Sequence, residues 1–380
     1  MKKPAMALAL LLAAAPASAQ LGAALGKLNK AADTAQQFQN LKISDADERK
    51  IGDAVSLHLR ETYGVYQDKD VTKYVTLLGT VLAQASSRPS LNWEFIVLDT
   101  DGVNAFAAPG GIIRVTRGAL GLAKTEAELA GVLGHEITHV TEKHTIGSIQ
   151  KSKQLSFVTD QVPKSGLTQD LITKISEVAY DDIWKNKYDR NDENEADRLG
   201  VELANKAGYA PDGLSKVLTK IAERNKDQQE PNGMFASHPQ LKDRIAKIGE
   251  TITARKLAAT ALVASRYTKA ITFDAKPLAE VAAGATDARG LAGSSDGKTA
   301  KKEDEKKDDK DKDKKEGKGG LFGGKLPLSK GNESKSSQTV ASAGARGGVP
   351  DRDSPGGPNK NKVVISVTAD EVSAFKKGIA

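Results

Sequence analysis

Residues 125–139 read Thr125-Glu126-Ala127-Glu128-Leu129-Ala130-Gly131-Val132-Leu133-Gly134-His135-Glu136-Ile137-Thr138-His139. Thr125 followed by Glu128 is a capping-box pattern. Leu129, Leu133, Ile137 and Val140 recur behind it at helical spacing, so the stretch predicts an apolar helix that begins at Thr125. His135 and His139 stand at i and i+4, about 40° apart around the axis, so both imidazoles leave one face and can share one metal ion. Glu136 is turned by about 100° and reaches a water on that ion rather than the ion itself. A metal lowers the pKa of such a water toward ~7, and a neighbouring carboxylate can take its proton. Gly131 and Gly134 leave room for a second element to approach the helix closely. His144 lies further along; on an unbroken helix it falls on roughly the opposite side, which predicts a core-edge or surface role.

The third ligand must come from elsewhere, and Asp192-Glu193-Asn194-Glu195-Ala196-Asp197 is the outstanding source. Glu193 and Asp197 share a helix face, so one can bind the metal while the other hydrogen-bonds a histidine ring N–H; spacing alone does not say which. The ion expected is zinc, one per chain. A helix is predicted from about Asn191 to Ala207, ended by Gly208, and another from Pro211. A last core helix runs from Pro239 toward Arg255, which would put His238 at its cap.

Upstream, Ser44 to about Ala85 has helical periodicity, with Ile51, Val55, Leu57 and Leu59, then Val71, Tyr74, Val75, Leu78, Val81 and Leu82, separated by Gly64 and Asp68-Lys69-Asp70. A β section follows through Trp93–Leu98, a turn at Asp99-Thr100-Asp101-Gly102, Val103–Ala107, Pro109-Gly110-Gly111 and Ile112–Val115, read as a small antiparallel sheet. Residues 145–188 are helical again, with a break at Pro163-Lys164-Ser165-Gly166. The fold class is therefore α+β, mainly helical.

The chain has 380 residues, a net charge of +7 and only 4% aromatic residues. Its basic residues are interleaved with acidic ones rather than gathered beside aromatics, which argues against a nucleic-acid partner. It has no cysteine, which removes thiol chemistry, cysteine-ligated metals and disulfides. Lys2 and Lys3, an apolar run from about Ala5 to Ala15, and Ala17-Ser18-Ala19 form a signal-peptide layout with cleavage near Ala19. The mature chain, with no membrane span, is then expected in the periplasm or outside the cell. A lead segment is read over 20–43 and one domain over 44–275. From 276 to 362 a disordered linker is expected, because residues 301–318 carry nine basic and eight acidic residues and Gly/Ser-rich sequence follows; such a stretch buries too little apolar surface to offset its ordering entropy. Residues 363–380 could form a strand and short helix, isolated from the core by that linker. The charged tail is the expected contact for an envelope protein partner.

Four blocks in order, Asn104–Gly111, Glu128–His139, Glu193–Gly200, and Ser237-His238-Pro239 with Arg244, resemble the M48 zinc peptidases. The likeness covers roughly Ser44 to Arg255. It implies a zincin-like metallopeptidase domain with His135, His139 and Glu193 as metal ligands, Glu136 as the base and Asp197 as the partner that orients a ligand. It also implies that Asn104, Ala105, Phe106, Ala107, Gly110 and Gly111 form a strand edge beside the helix of His135, where a polypeptide substrate adds by main-chain hydrogen bonds. His238 matches a histidine thought to approach the metal and regulate access, or to steady an oxyanion. The activity implied is endopeptidase cleavage of unfolded or misfolded envelope proteins. The competing reading is a latched, chaperone-like or adaptor protein of envelope quality control with little proteolysis of its own.

Overall fold

The computed structural model describes residues 43–151, 167–184, 188–227, 238, 240–285, 359–363 and 365–379. The signal segment, residues 20–42 of the lead segment, the Pro163–Gly166 break and residues 286–358 of the linker lie outside these. Two helices open the described chain, α1 (Asp45–Tyr63) and α2 (Lys69–Ala85). Ser44 and Asp68 cap them, each accepting from backbone N–H groups of the first turn, which satisfies donors that a helix start leaves orphaned. Of the apolar residues read as the face of α1, Ile51, Val55 and Leu59 are buried, whereas Leu57 is exposed.

Three strands follow, β1 (Glu94–Leu98), β2 (Ala105–Ala108) and β3 (Ile112–Thr116), in the order β1-β3-β2. The sheet is mixed, not antiparallel. β2 and β3 do form the expected antiparallel pair, joined by a turn in which Gly110 and Gly111 have φ of 76° and 89°, a region that glycine enters freely. β1, however, runs parallel to β3, with Glu94 opposite Ile112 and Leu98 opposite Thr116. The Asp99–Gly102 turn does not close a hairpin: Arg117 ion-pairs with both Asp99 and Asp101, and the chain passes on to the far edge of β3.

Both faces of this sheet are covered. Phe95, Val97, Ala105, Ala107, Ile113 and Val115 join the larger core under α2, while Phe106, Ala108 and Ile112 face a smaller core built with α1 and the later helix α6 (Gln169–Trp184). That is why Ile112-Ile113 and Phe95–Leu98 read as continuous apolar runs. Arg114 is fully buried within the β3 run, bonded to Ser56 and ion-paired with Glu94.

The remaining helices are α3 (Arg117–Leu122), α4 (Glu126–Thr141), α5 (His144–Lys151), α7 (Arg190–Lys206), α8 (Gly213–Arg224), α9 (Leu241–Ala254), α10 (Ala264–Ala270), α11 (Leu278–Ala285) and α12 (Ala369–Lys377). α11 occupies the start of the stretch read as disordered linker. Nor is the C-terminal segment isolated: Val372, Phe375 and Ile379 belong to the larger core, and Lys73 pairs with Glu371 at 2.6 Å. Within 363–380 the described residues form the helix, and no strand is found among them. Among the described residues no helix is long and apolar enough to cross a membrane.

Candidate metal centre

α4 is the platform. Thr125 caps it, accepting from Glu128 N at 3.2 Å, and the Glu128 carboxylate accepts from Lys124 N at 2.8 Å, so the capping pattern closes one residue earlier than the usual box. Every residue from Glu126 to Val140 is buried. α4 crosses α7 at Gly134 and Gly200, where a Cβ on Gly200 would stand 2.6 Å from His135 N and one on Gly134 2.6 Å from Gly200 O. This backbone approach is what Gly134 makes room for. It brings the first turns of α7, with Glu193 and Asp197, against the two histidines.

His135 Nε2 and His139 Nε2 are 3.0 Å apart. Glu193 Oε2 lies 3.9 Å from the first and Glu193 Oε1 3.5 Å from the second. His238 Nδ1 completes the group, 2.7 Å from Glu193 Oε1 and 3.3 Å from His135 Nε2. All four residues are buried, and their ligand atoms lie within 4.8 Å of one another. A tetrahedral ion with bonds of about 2.0–2.1 Å separates its ligands by roughly 3.3 Å, so the donor set fits one metal. Both carboxylate oxygens of Glu136 are buried beside this group without a hydrogen-bond partner.

The charge states suit ligation. Burial drives the His139 imidazole well below the usual histidine range, leaving it neutral. Burial would raise the Glu193 carboxyl, but His238 and Arg244 override this and hold it well below its ordinary value. Burial raises the Glu136 carboxyl, against the pull of His238 and His135.

A second layer fixes these groups. His135 Nδ1 lies 2.9 Å from Asp197 Oδ1, a close though imperfectly aligned contact. Arg244 grips Asp197 with two hydrogen bonds of 2.7 and 2.6 Å, pairs with Glu193 at 2.8 Å and donates to the His238 carbonyl at 3.2 Å. Burial opposes ionisation of Asp197, yet Arg244 holds its carboxyl at about 2. Tyr188 stacks on His139, ring centroids 4.0 Å apart, and its hydroxyl meets Thr145 Oγ1 at 2.8 Å.

Two expectations change. α4 ends at Thr141 and Lys143 takes a φ of 59°, so His144 opens α5 on the site side, its Nδ1 3.0 Å from His139 Nδ1; it does not lie on the opposite face of one long helix. α9 starts at Leu241 with Gln240 as its cap, so His238 stands ahead of the helix rather than at its cap. β2 is an edge strand packed against α4, but its residues are all buried and Thr145 Oγ1 lies 3.4 Å from Ala107 O. Asn104 is tied to Thr116, with its N and O 3.0 and 2.9 Å from Thr116 Oγ1, and Gly110 and Gly111 pack in the turn against Arg49 and Asn92. Arg244 and Tyr188 were given no role by the spacing. The only sequence hint for Tyr188 is an aromatic just ahead of the acidic cluster.

Residues 69–252 match Peptidase family M48. A putative β-barrel assembly-enhancing protease of Vibrio cholerae is 28% identical over 205 residues, 51% of this chain and 42% of that protein. The mitochondrial metalloendopeptidase OMA1 of Schizosaccharomyces pombe is 30% identical over 222 residues, 57% of this chain and 63% of that protein. Metalloprotease YcaL of Escherichia coli is 29% identical over 167 residues, 43% of this chain and 63% of that protein. The chain thus spans less than half the length of the β-barrel assembly-enhancing proteases it matches. The metal-binding geometry of α4 and α7 lies inside the span, residues 69–252, over which this chain is similar to Peptidase family M48.

Proposed function

We propose that this chain is a zinc-dependent endopeptidase acting on exported, unfolded or misfolded polypeptides of the cell envelope. The observation that carries the reading is the buried Glu136 carboxylate, unpartnered beside a His135, His139 and Glu193 donor set. His135, His139 and Glu193 would hold a zinc ion, which would supply Lewis acidity to a scissile carbonyl and to water, and Asp197 would orient the His135 ring. Glu136 takes the proton from the attacking water and passes it to the leaving amine. β2 offers main-chain groups to an extended substrate once Thr145 and the cover over Ala107 have moved. The signal-peptide layout and the β-barrel assembly work in the printed names of several relatives favour an envelope location and envelope substrates. The charged 301–318 stretch is the candidate contact for an envelope partner.

A second reading has its own observation. His238 contributes the fourth donor, so the chain rests in a latched form, as a chaperone-like or adaptor protein would. Metal analysis and cleavage of an unfolded protein such as casein, run side by side on the mature chain and on Glu136→Gln, decide between them. The variant is expected to keep about one zinc and lose ~10²- to 10⁴-fold in turnover, the usual contribution of a general base. Equal cleavage by the two proteins would remove Glu136 from its role; zinc without cleavage in either would favour the latched reading.

A further inference from the structure

The two histidines of α4 are backed differently. His135 turns its Nδ1 to a carboxylate, Asp197. His139 turns its Nδ1 to another imidazole, that of His144, at 3.0 Å. Two neutral rings meeting through Nδ1 atoms can bond only if one donates and the other accepts. The Nε2 of His139 faces His135 and Glu193, so metal binding there needs Nε2 bare and the proton on Nδ1. His144 then accepts at Nδ1 and carries its own proton on Nε2. That Nε2 points to acids, Glu195 Oε2 at 3.4 Å and Asp192 Oδ1 at 4.0 Å.

The backbone is shaped to make this contact. A helix continued through residue 144 would turn His144 about 140° away from His139. Instead α4 stops, and Lys143 adopts a φ of 59°, a left-handed conformation that non-glycine residues avoid. α1 holds the break in place: Glu48, itself buried, pairs with Lys143 at 2.5 Å and with Arg88 at 3.0 Å, and Arg88 donates to Val140 O at 3.1 Å at the end of α4. Gly147 N bonds Lys143 O at 2.8 Å, starting α5 at once. His144 is buried under Tyr188 and His139 as a result.

We propose that His144 is a positioning residue of the metal centre, whose Nδ1 accepts the Nδ1–H of His139 and so fixes the ring and tautomer that present His139 Nε2 to the ion. The inference rests on the reading of His139 as a zinc ligand. Such backing contacts are commonly worth ~10- to 100-fold in metal affinity.

The test is zinc affinity of the mature chain, measured by competition with a chelator of known strength, for wild type, His144→Ala, His144→Phe and His144→Asn. Circular dichroism and melting of the metal-free proteins check folding. Asn places its amide oxygen close to where Nδ1 stands, and Phe fills the space without an acceptor. Expected is a loss of ~10- to 100-fold in the Ala and Phe variants with most of it recovered in Asn. Wild-type affinity in His144→Phe would assign the residue to packing and overturn the proposal, as would an Asn variant no better than Ala. Wild type that binds no zinc would instead remove the metal reading itself, a result separable from either.

Discussion

α4 carries two fully buried glutamates with opposite surroundings. Glu126, in the first turn, accepts from Tyr74 at 2.8 Å and Tyr209 at 2.9 Å and is gripped by Arg266, whose Nη2 lies 2.6 Å away. Arg266 in turn lies over the Phe375 ring at 3.9 Å and donates to the Phe375 carbonyl, so this end of the helix is locked to α12. Glu136 has no hydrogen-bond partner at either oxygen, and His238 Nε2 stands 3.9 Å from its Oε1. A buried charge that is fully paired holds a fold together when both partners are present; one left without partners raises the energy of the fold. On the proposed function, packing and reactivity are separated along a single helix.

The comparison breaks if the two glutamates respond alike. Glu126→Ala strands two tyrosine hydroxyls and one guanidinium, and should cost on the order of 3–5 kcal/mol in stability, read as a lowered denaturant midpoint. Glu136→Gln should do the reverse to the metal-free protein, leaving the midpoint unchanged or higher while activity collapses. The sign follows from the raised carboxyl of Glu136, caused first by burial. Below its ordinary value the group is protonated in both states and costs nothing. As pH rises from there, the unfolded chain ionises first and stability is lost through the folded value. Removing the carboxyl removes that loss, so the variant's advantage in the metal-free form should grow from acid to neutral pH.

A sharper version concerns the acids of α7. Glu193 meets the histidine Nε2 atoms and Asp197 the Nδ1 side of His135. Glu193→Ala should therefore weaken zinc binding by more than the ~10- to 100-fold typical of an orienting partner, and Asp197→Asn by about that amount. The conservative change at Asp197 keeps an acceptor for Arg244, which also braces Glu193. The reverse order in a zinc titration would exchange the two roles.

What the sequence made legible was local and periodic. The α4 helix, its cap at Thr125, and the meeting of His135 and His139 on one face all follow from spacing. Juxtaposition across elements was less readable. Nothing in the spacing says that Arg244 reaches back to α7, that β1 pairs parallel with β3, or that Phe375 returns to the core from beyond a charged stretch. His144 was misplaced because a helix pattern continues through Lys143 at the level of residue type. The left-handed turn there depends on Glu48, far upstream, to receive the lysine.

The smallest expected effect is at His238, and it tests whether the resting form of this site is closed. Its Nδ1 lies among the ligand atoms, 2.7 Å from Glu193 Oε1. The Arg244 bond to its carbonyl holds the backbone at that place. A catalytic zinc needs an open position, so an imidazole standing as the fourth donor suppresses turnover until it withdraws. His238→Ala should then raise basal cleavage of an unfolded substrate by roughly three- to tenfold, about 0.7–1.4 kcal/mol, with zinc content nearly unchanged because three ligands remain. A fall in kcat would point the other way, to a ring that stabilises the developing oxyanion, a role worth ~3–4 kcal/mol in hydrolases. Substrate affinity separates the two: relief of a latch lowers the apparent KM by returning competent sites to the population, whereas loss of an oxyanion contact lowers kcat and leaves KM in place.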